Sequence, residues 1–176
     1  MIKPILAGLL AALLLTGCAT LYRAANSAAA HDYPEATAYD VSDDAEADVD
    51  AALTRATQNG KRVLLVMGAN WCHDSRALAG WLGTPRFAAL IEREFELVYV
   101  NVGTPQSGDG HNLGIARRFG LDDLPGTPNV LVLESNGRLI NKSTATTWRN
   151  AASRTEGAIF EELEKLSQCS PDSCAG

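Results

Sequence analysis

Two periods alternate along the chain after residue 42. Val63 to Met67 is a continuous apolar, partly β-branched run, the pattern of a strand buried on both faces. From Ser75 the apolar residues Leu78, Trp81 and Leu82 recur at helical spacing, and Gly83 is placed to end that helix. Thr84-Pro85 reads as an N-cap followed by proline at the first helical position, with Phe87, Leu90 and Ile91 on the inner face. Leu97 to Val102 predicts the next strand, and a strand-helix-strand unit of this kind should be parallel. Upstream, Ser42 is placed to cap a helix whose first turn carries Asp43, Asp44 and Glu46; Val49, Leu53 and Ala56 mark its buried side and Asn59-Gly60 ends it. Downstream, Asn112 is placed to cap a short helix to Phe119, stopped by Gly120. Asn129 to Glu134, Asn136-Gly137 and Arg138 to Lys142 predict a hairpin, and Asn150 to Ser167 a closing helix that buries Ala158, Ile159, Leu163 and Leu166. Strands alternating with helices predict an α/β fold.

The first 42 residues follow neither period. Lys3 and the apolar stretch Ile5 to Leu15 have the layout of an export signal, too short for a spanning helix of about 20 residues. Leu15-Thr16-Gly17-Cys18 resembles the bacterial lipobox, whose cysteine is lipidated and becomes the first residue of the mature protein. That resemblance implies a signal peptide over 1–17, lipid on Cys18 and a membrane anchor, against the plainer reading of an ordinary secretory signal. Ala19 replaces the aspartate that signals inner-membrane retention in such lipoproteins, which implies the outer membrane facing the periplasm. From Ala19 to Val41 the chain is rich in Ala, Ser, Asn and Asp, and residues 18–41 read as a flexible tether. Eight acidic and no basic residues lie between Asp32 and Asp50, a solvated spacer and helix start rather than an acidic docking site.

Composition narrows the classes. With 176 residues, 46% hydrophobic and 20% charged, the chain suits one globular domain with extensions, here 42–167 with a tail at 168–176. Net charge is −6 and no basic cluster is present to neutralise phosphates, which argues against nucleic acid as a partner.

Chemistry is concentrated at Cys72, which the pattern places where a strand hands over to a helix. Unpaired N–H groups and the helix dipole favour negative charge there, and a cysteine so placed is reactive. Trp71-Cys72-His73-Asp74-Ser75 resembles the Trp-Cys-x-x-Cys site of the thioredoxin superfamily, with Ser75 in place of the second cysteine. Gly126-Thr127-Pro128, just before an apolar run and 55 residues beyond Cys72 in the case of Thr127, resembles the family's cis-proline loop. The resemblance implies a thioredoxin-like fold, a central mixed sheet flanked by helices, in which Thr127 faces the active cysteine. It also implies Cys72 as nucleophile, Ser75 and His73 as stabilisers of its thiolate, and Trp71, Thr127 and Pro128 as substrate contacts. Trp71 reads equally as packing over the site. Members that run a dithiol cycle carry a buried acid six positions before the first cysteine; here Val66 stands there. A lone thiol cannot resolve its own mixed disulfide, so the resemblance implies monothiol exchange or isomerisation rather than net reduction.

Adjacent Cys72, His73 and Asp74 do not supply a closed tetrahedral set, so neither a metal nor another cofactor is expected. The loop Gly103 to Asn112 should lie near the edge that carries Cys72; His111 in it is either a site residue or simply solvated. Cys169 and Cys174 flank a turn-forming spacer in the tail, and a disulfide between them is expected. Free thiols, a weak metal site and a swinging pair that resolves Cys72 are the rivals. Three functions stay open. One is a membrane-tethered monothiol oxidoreductase or isomerase whose partners are thiols or disulfides of the cell envelope. The second is a redox-inactive module holding an envelope protein, and the third a dithiol enzyme resolved by Cys169 or Cys174.

Overall fold

The computed structural model of the protein describes residues 33–42 and 44–169. The export signal, Cys18, the first part of the tether, Asp43 and Cys174 lie outside the described residues. The elements run α1 (Ala45–Asn59), β1 (Arg62–Gly68), α2 (His73–Leu82), α3 (Pro85–Glu94) and β2 (Phe95–Asn101). They continue with β3 (Gly103–Thr104), β4 (Asp109–Gly110), α4 (Leu113–Arg118), β5 (Asn129–Leu133) and α5 (Glu156–Gln168).

β1 is the middle strand of a mixed sheet, parallel to β2 and antiparallel to β5. Its centre is buried on both faces because side chains at successive positions meet different layers. Leu64 and Val66, with Val130 and Val132 of β5, face Leu78 and Leu82 of α2, Phe87 and Leu90 of α3, and Ile159 and Leu163 of α5. Leu65 and Met67, with Leu131 and Leu133, face Val49, Ala52 and Ala56 of α1 and Ile115 of α4. Fully burying one such aliphatic side chain contributes about 1.5–3 kcal/mol, so these two layers supply most of the driving force for folding.

Local chemistry sets the boundaries. Asp44, not Ser42, caps α1: its carboxylate accepts the Ala47 N–H at 2.9 Å, while Ser42 Oγ accepts from the Asp44 N–H and donates to Asp48. Gly60 ends α1 at φ 75°, a left-handed conformation that glycine adopts without a Cβ clash. Thr84 precedes α3 as read from sequence, yet its hydroxyl donates back to Trp81 O instead of capping the helix. The closing helix is split: a one-turn 3-10 segment, Ala151–Ser153, precedes α5, whose N-cap Thr155 accepts from Ala158 N–H.

Two expectations need correction. The hairpin after β5 has no second strand, only a single bridge between Leu133 and Leu139. Buried Asn141 replaces the ladder, its Oδ1 accepting from Val132 N–H at 2.8 Å and its Nδ2 donating to Val130 O at 2.9 Å. The second correction concerns residues 34–41, which are not free tether. They form an extended strap against α2, and Tyr39 is fully buried in the layer below the sheet. Two glycines make this possible. A Cβ on Gly80 would lie 2.2 Å from Pro34 O, and one on Gly68 would lie 2.5 Å from the Tyr39 ring.

Candidate active site

β1 runs out at Gly68, and the chain turns through Ala69 to Cys72, where the Cys72 N–H donates to Ala69 O at 3.1 Å. Cys72 is the N-cap of α2, in an extended conformation, and its carbonyl takes the Arg76 N–H as the first helical bond. The residue thus precedes the first-turn N–H groups, which an α-helix leaves without intrahelical partners, although its side chain makes no cap bond to them here. Across from it, the Thr127-Pro128 peptide bond is cis, and Cys72 Sγ donates to Thr127 O at 3.4 Å. Asn129, buried at the start of β5, braces this loop by donating to Gly126 O at 2.7 Å. Cys72 is a free thiol, 7% exposed.

The residues singled out from sequence divide into those that meet the sulfur and those that do not. Thr127 does, through its main-chain carbonyl, and Pro128 supplies the cis peptide bond that follows it. Trp71 stands at the rim, 52% exposed, and its indole N–H donates to Gly103 O at 3.0 Å. That bond places the 103–112 loop at the edge that carries Cys72. Ser75 does not bond the sulfur. It is fully buried behind the turn, where its hydroxyl accepts from Ala69 N–H at 3.3 Å, so its role is to brace the turn rather than hold a thiolate. His73 is turned outward and meets Asp74, with Nε2 3.2 Å from Oδ2. The other Asp74 oxygen accepts from Ala152 N–H at 2.8 Å and fastens the 3-10 segment to the start of α2. His111 lies against Gly103 and pairs with Asn101 Oδ1 at 3.1 Å. Val66 is fully buried among apolar side chains on the α2 side of the sheet.

Sequence reasoning missed the strap's share in this site. The Tyr39 main chain makes two bonds with the Asn70 amide, N–H to Oδ1 at 3.0 Å and Nδ2 to its carbonyl at 3.1 Å. Asn101 Nδ2 adds a third at 2.8 Å, and the Tyr39 hydroxyl donates to Ser75 O at 3.2 Å. Burial pushes the Tyr39 phenol well above its usual range, so it stays a neutral donor. The only cue was one tyrosine in a run of Ala, Thr and Asp. Arg149 was also missed: its stem lies over Gly126, and its guanidinium donates to Thr146 O and Pro125 O beside the cis-proline loop.

Cys169 lies at the other end of the sheet. It is disulfide-bonded, to a partner outside the described residues, and its carbonyl is held by Arg62 Nη2 at 2.6 Å at the start of β1. Among the described residues, no group of three or more His, Cys, Asp or Glu side chains could hold a metal ion.

With this geometry in place, comparison with known proteins defines the class. A thioredoxin-like family model matches residues 44–135, and the chain belongs to that family. Its structure is similar to the crystal structure of a disulphide isomerase from Xylella fastidiosa Temecula1, with 32% identity over 76% of this chain and 98% of that one, at a TM-score of 0.67. No curated protein matches the sequence.

Proposed function

We infer that this protein carries out thiol-disulfide exchange through Cys72 acting as a lone nucleophile. The observation that carries the reading is the free Cys72 thiol at the N-terminus of α2, hydrogen-bonded to the main chain before a cis-proline, with a serine where a resolving cysteine would stand. Likeness to a disulphide isomerase supports it. In the step proposed, the Cys72 proton leaves for solvent and the thiolate attacks one sulfur of a substrate disulfide. That disulfide breaks as the Cys72–substrate bond forms, and the departing thiolate takes up a proton. A second thiol, of the substrate itself or a small external one, then attacks the mixed disulfide and restores Cys72. No net oxidation is needed when the substrate's own thiol does this, which is isomerisation.

Thr127 O can accept from the thiol but not from the thiolate. On ionisation the sulfur must therefore turn from the carbonyl toward the N–H groups of the first turn of α2. That frees Thr127 O for a main-chain N–H of the substrate, with Trp71 flanking it. His73 and Ser75 act on the site's shape through Asp74 and Ala69 rather than by touching the sulfur.

The proposed setting is the cell envelope, with lipid on Cys18 anchoring the protein to the outer membrane so that it faces the periplasm. This rests on the sequence of the first 19 residues. No helix among the described residues is long and apolar enough to cross a membrane. A pairing of Cys169 with Cys174 in the tail belongs to the same proposal.

The test is acid-trapping of protein taken from its native membrane. Mixed disulfides with envelope proteins or small thiols should be present and should vanish in Cys72→Ala. The low exposure of Cys72 favours one second reading, a redox-inactive module that binds its partner in the same groove. Partners retained unchanged by Cys72→Ala, with slow alkylation of the native thiol, would establish that module instead.

A further inference from the structure

The strap makes contacts on both sides of Cys72 along the chain. Before it, the Asn70 amide is locked to the Tyr39 main chain by a reciprocal pair of hydrogen bonds. Arg76, ion-paired with Glu35 of the strap at 3.2 Å, donates to the carbonyls of both Asn70 and Trp71. After it, the Tyr39 hydroxyl holds Ser75 O, and Ala36 N–H donates to Arg76 O at 3.0 Å. The ring itself is seated by Gly68 and by an edge-on contact with Tyr99, at 5.3 Å between centroids. The side chains or main chains of Ala69, Asn70 and Trp71 are therefore each tied to the strap, to Arg76 or to Ser75, or through Trp71 to the neighbouring loop.

We propose that the strap is a working part of the site: Tyr39, acting through Asn70, is a positioning residue that fixes the turn which aims the Cys72 sulfur between the start of α2 and Thr127. The proposal rests on the reading of Cys72 as a nucleophile and adds what sets its aim. A turn geometry held by hydrogen bonds to a separate segment can be released without dismantling the sheet, and misplacing a reacting atom by about 1 Å costs up to about a hundredfold in rate. Release of the strap should therefore show first in the chemistry of Cys72 and only secondarily in stability.

The experiment measures the rate of Cys72 alkylation by iodoacetamide, and of exchange with a small aromatic disulfide, on the full chain. Melting temperature and near-ultraviolet circular dichroism are recorded for each variant. Asn70→Ala and Tyr39→Ala should slow both reactions about tenfold at temperatures where the protein stays folded. Tyr39→Phe keeps the ring seat and the main-chain pair and should restore most of the rate. Gly80→Ala, which drives a Cβ into Pro34 O without touching residues 69–72, lifts the strap by another route and should slow the reactions in the same way. It decides the matter if Asn70→Ala does not fold. Folded Tyr39→Ala and Gly80→Ala variants reacting at the native rate would overturn the proposal. If the native thiol reacts no faster than free cysteine below neutral pH, the nucleophile reading fails, and that result is distinct from a failure of the strap alone.

Discussion

At the scale of the residue, the site is defined by one substitution and its surroundings. Ser75 is one helical turn from Cys72, in the position from which a second sulfur would resolve a mixed disulfide. Its hydroxyl instead accepts from Ala69 N–H and lies close to Gly68. Ser75→Cys should place a thiol within reach of Cys72, since side chains three apart on a helix are neighbours. Oxidation of that variant should then remove two titratable thiols where the native protein loses none to an internal bond. Two thiols still titratable after oxidation would show that the buried side of the turn cannot deliver a sulfur to Cys72. The His73–Asp74 pair illustrates how residue identity and residue role separate. The sequence places both beside the cysteine, but His73 meets Asp74 and Asp74 is engaged by the Ala152 N–H.

At the scale of the element, helices and central strands were legible because their periods are imposed by burial in two layers. Leu78 and Leu82, or Val49 and Ala56, are spaced as the core requires. The failures have a common cause, in that a distant segment supplies what local pattern cannot show. Tyr39 is buried only because Gly68 and Gly80, some thirty to forty residues further on, leave room for the strap. The arm after Gly137 reads as a strand, yet the Asn141 amide supplies both the acceptor and the donor that a strand would have offered to β5. Asn141→Ala leaves Val132 N–H and Val130 O unpaired in the core, at a cost of about 3 kcal/mol measured by denaturant unfolding; a loss below about 1 kcal/mol would show that the arm re-pairs through its backbone. A surface cluster joins α1 to β2. Hydrogen bonding to Arg55 holds the Glu96 carboxyl below its ordinary value, and Asn59 and the charges of Arg55 and Lys61 add to this. A depressed carboxyl contributes stability that is present above its unfolded value of about 4.3 and is lost as pH falls through the folded value. Glu96→Gln should thus lower the melting temperature at neutral pH, by an amount equivalent to less than about 1 kcal/mol because the cluster is solvated. The gap should close in acid; a gap that stays constant down to pH 3 would rule out ionisation of Glu96 as its source.

At the scale of the whole molecule, sulfur chemistry is divided between the two ends of the sheet. Cys72 lies beyond the last residue of β1, whereas Cys169 is held at the first, and β1 spans about 20 Å at roughly 3.3 Å per residue. Cys169→Ser should therefore lower the melting temperature while leaving the alkylation rate of Cys72 unchanged. A slowed exchange reaction in that variant would favour resolution of Cys72 by the tail. The fastening at the far end is made by Arg62, whose guanidinium bonds the carbonyls of Leu166 and Cys169. Opening the bridge at Cys169 with a mild reductant leaves those contacts in place, so the end of α5 stays docked. Graded reduction can thus cleave one sulfur centre and still leave the other in its native pose, ready to be assayed in the same sample.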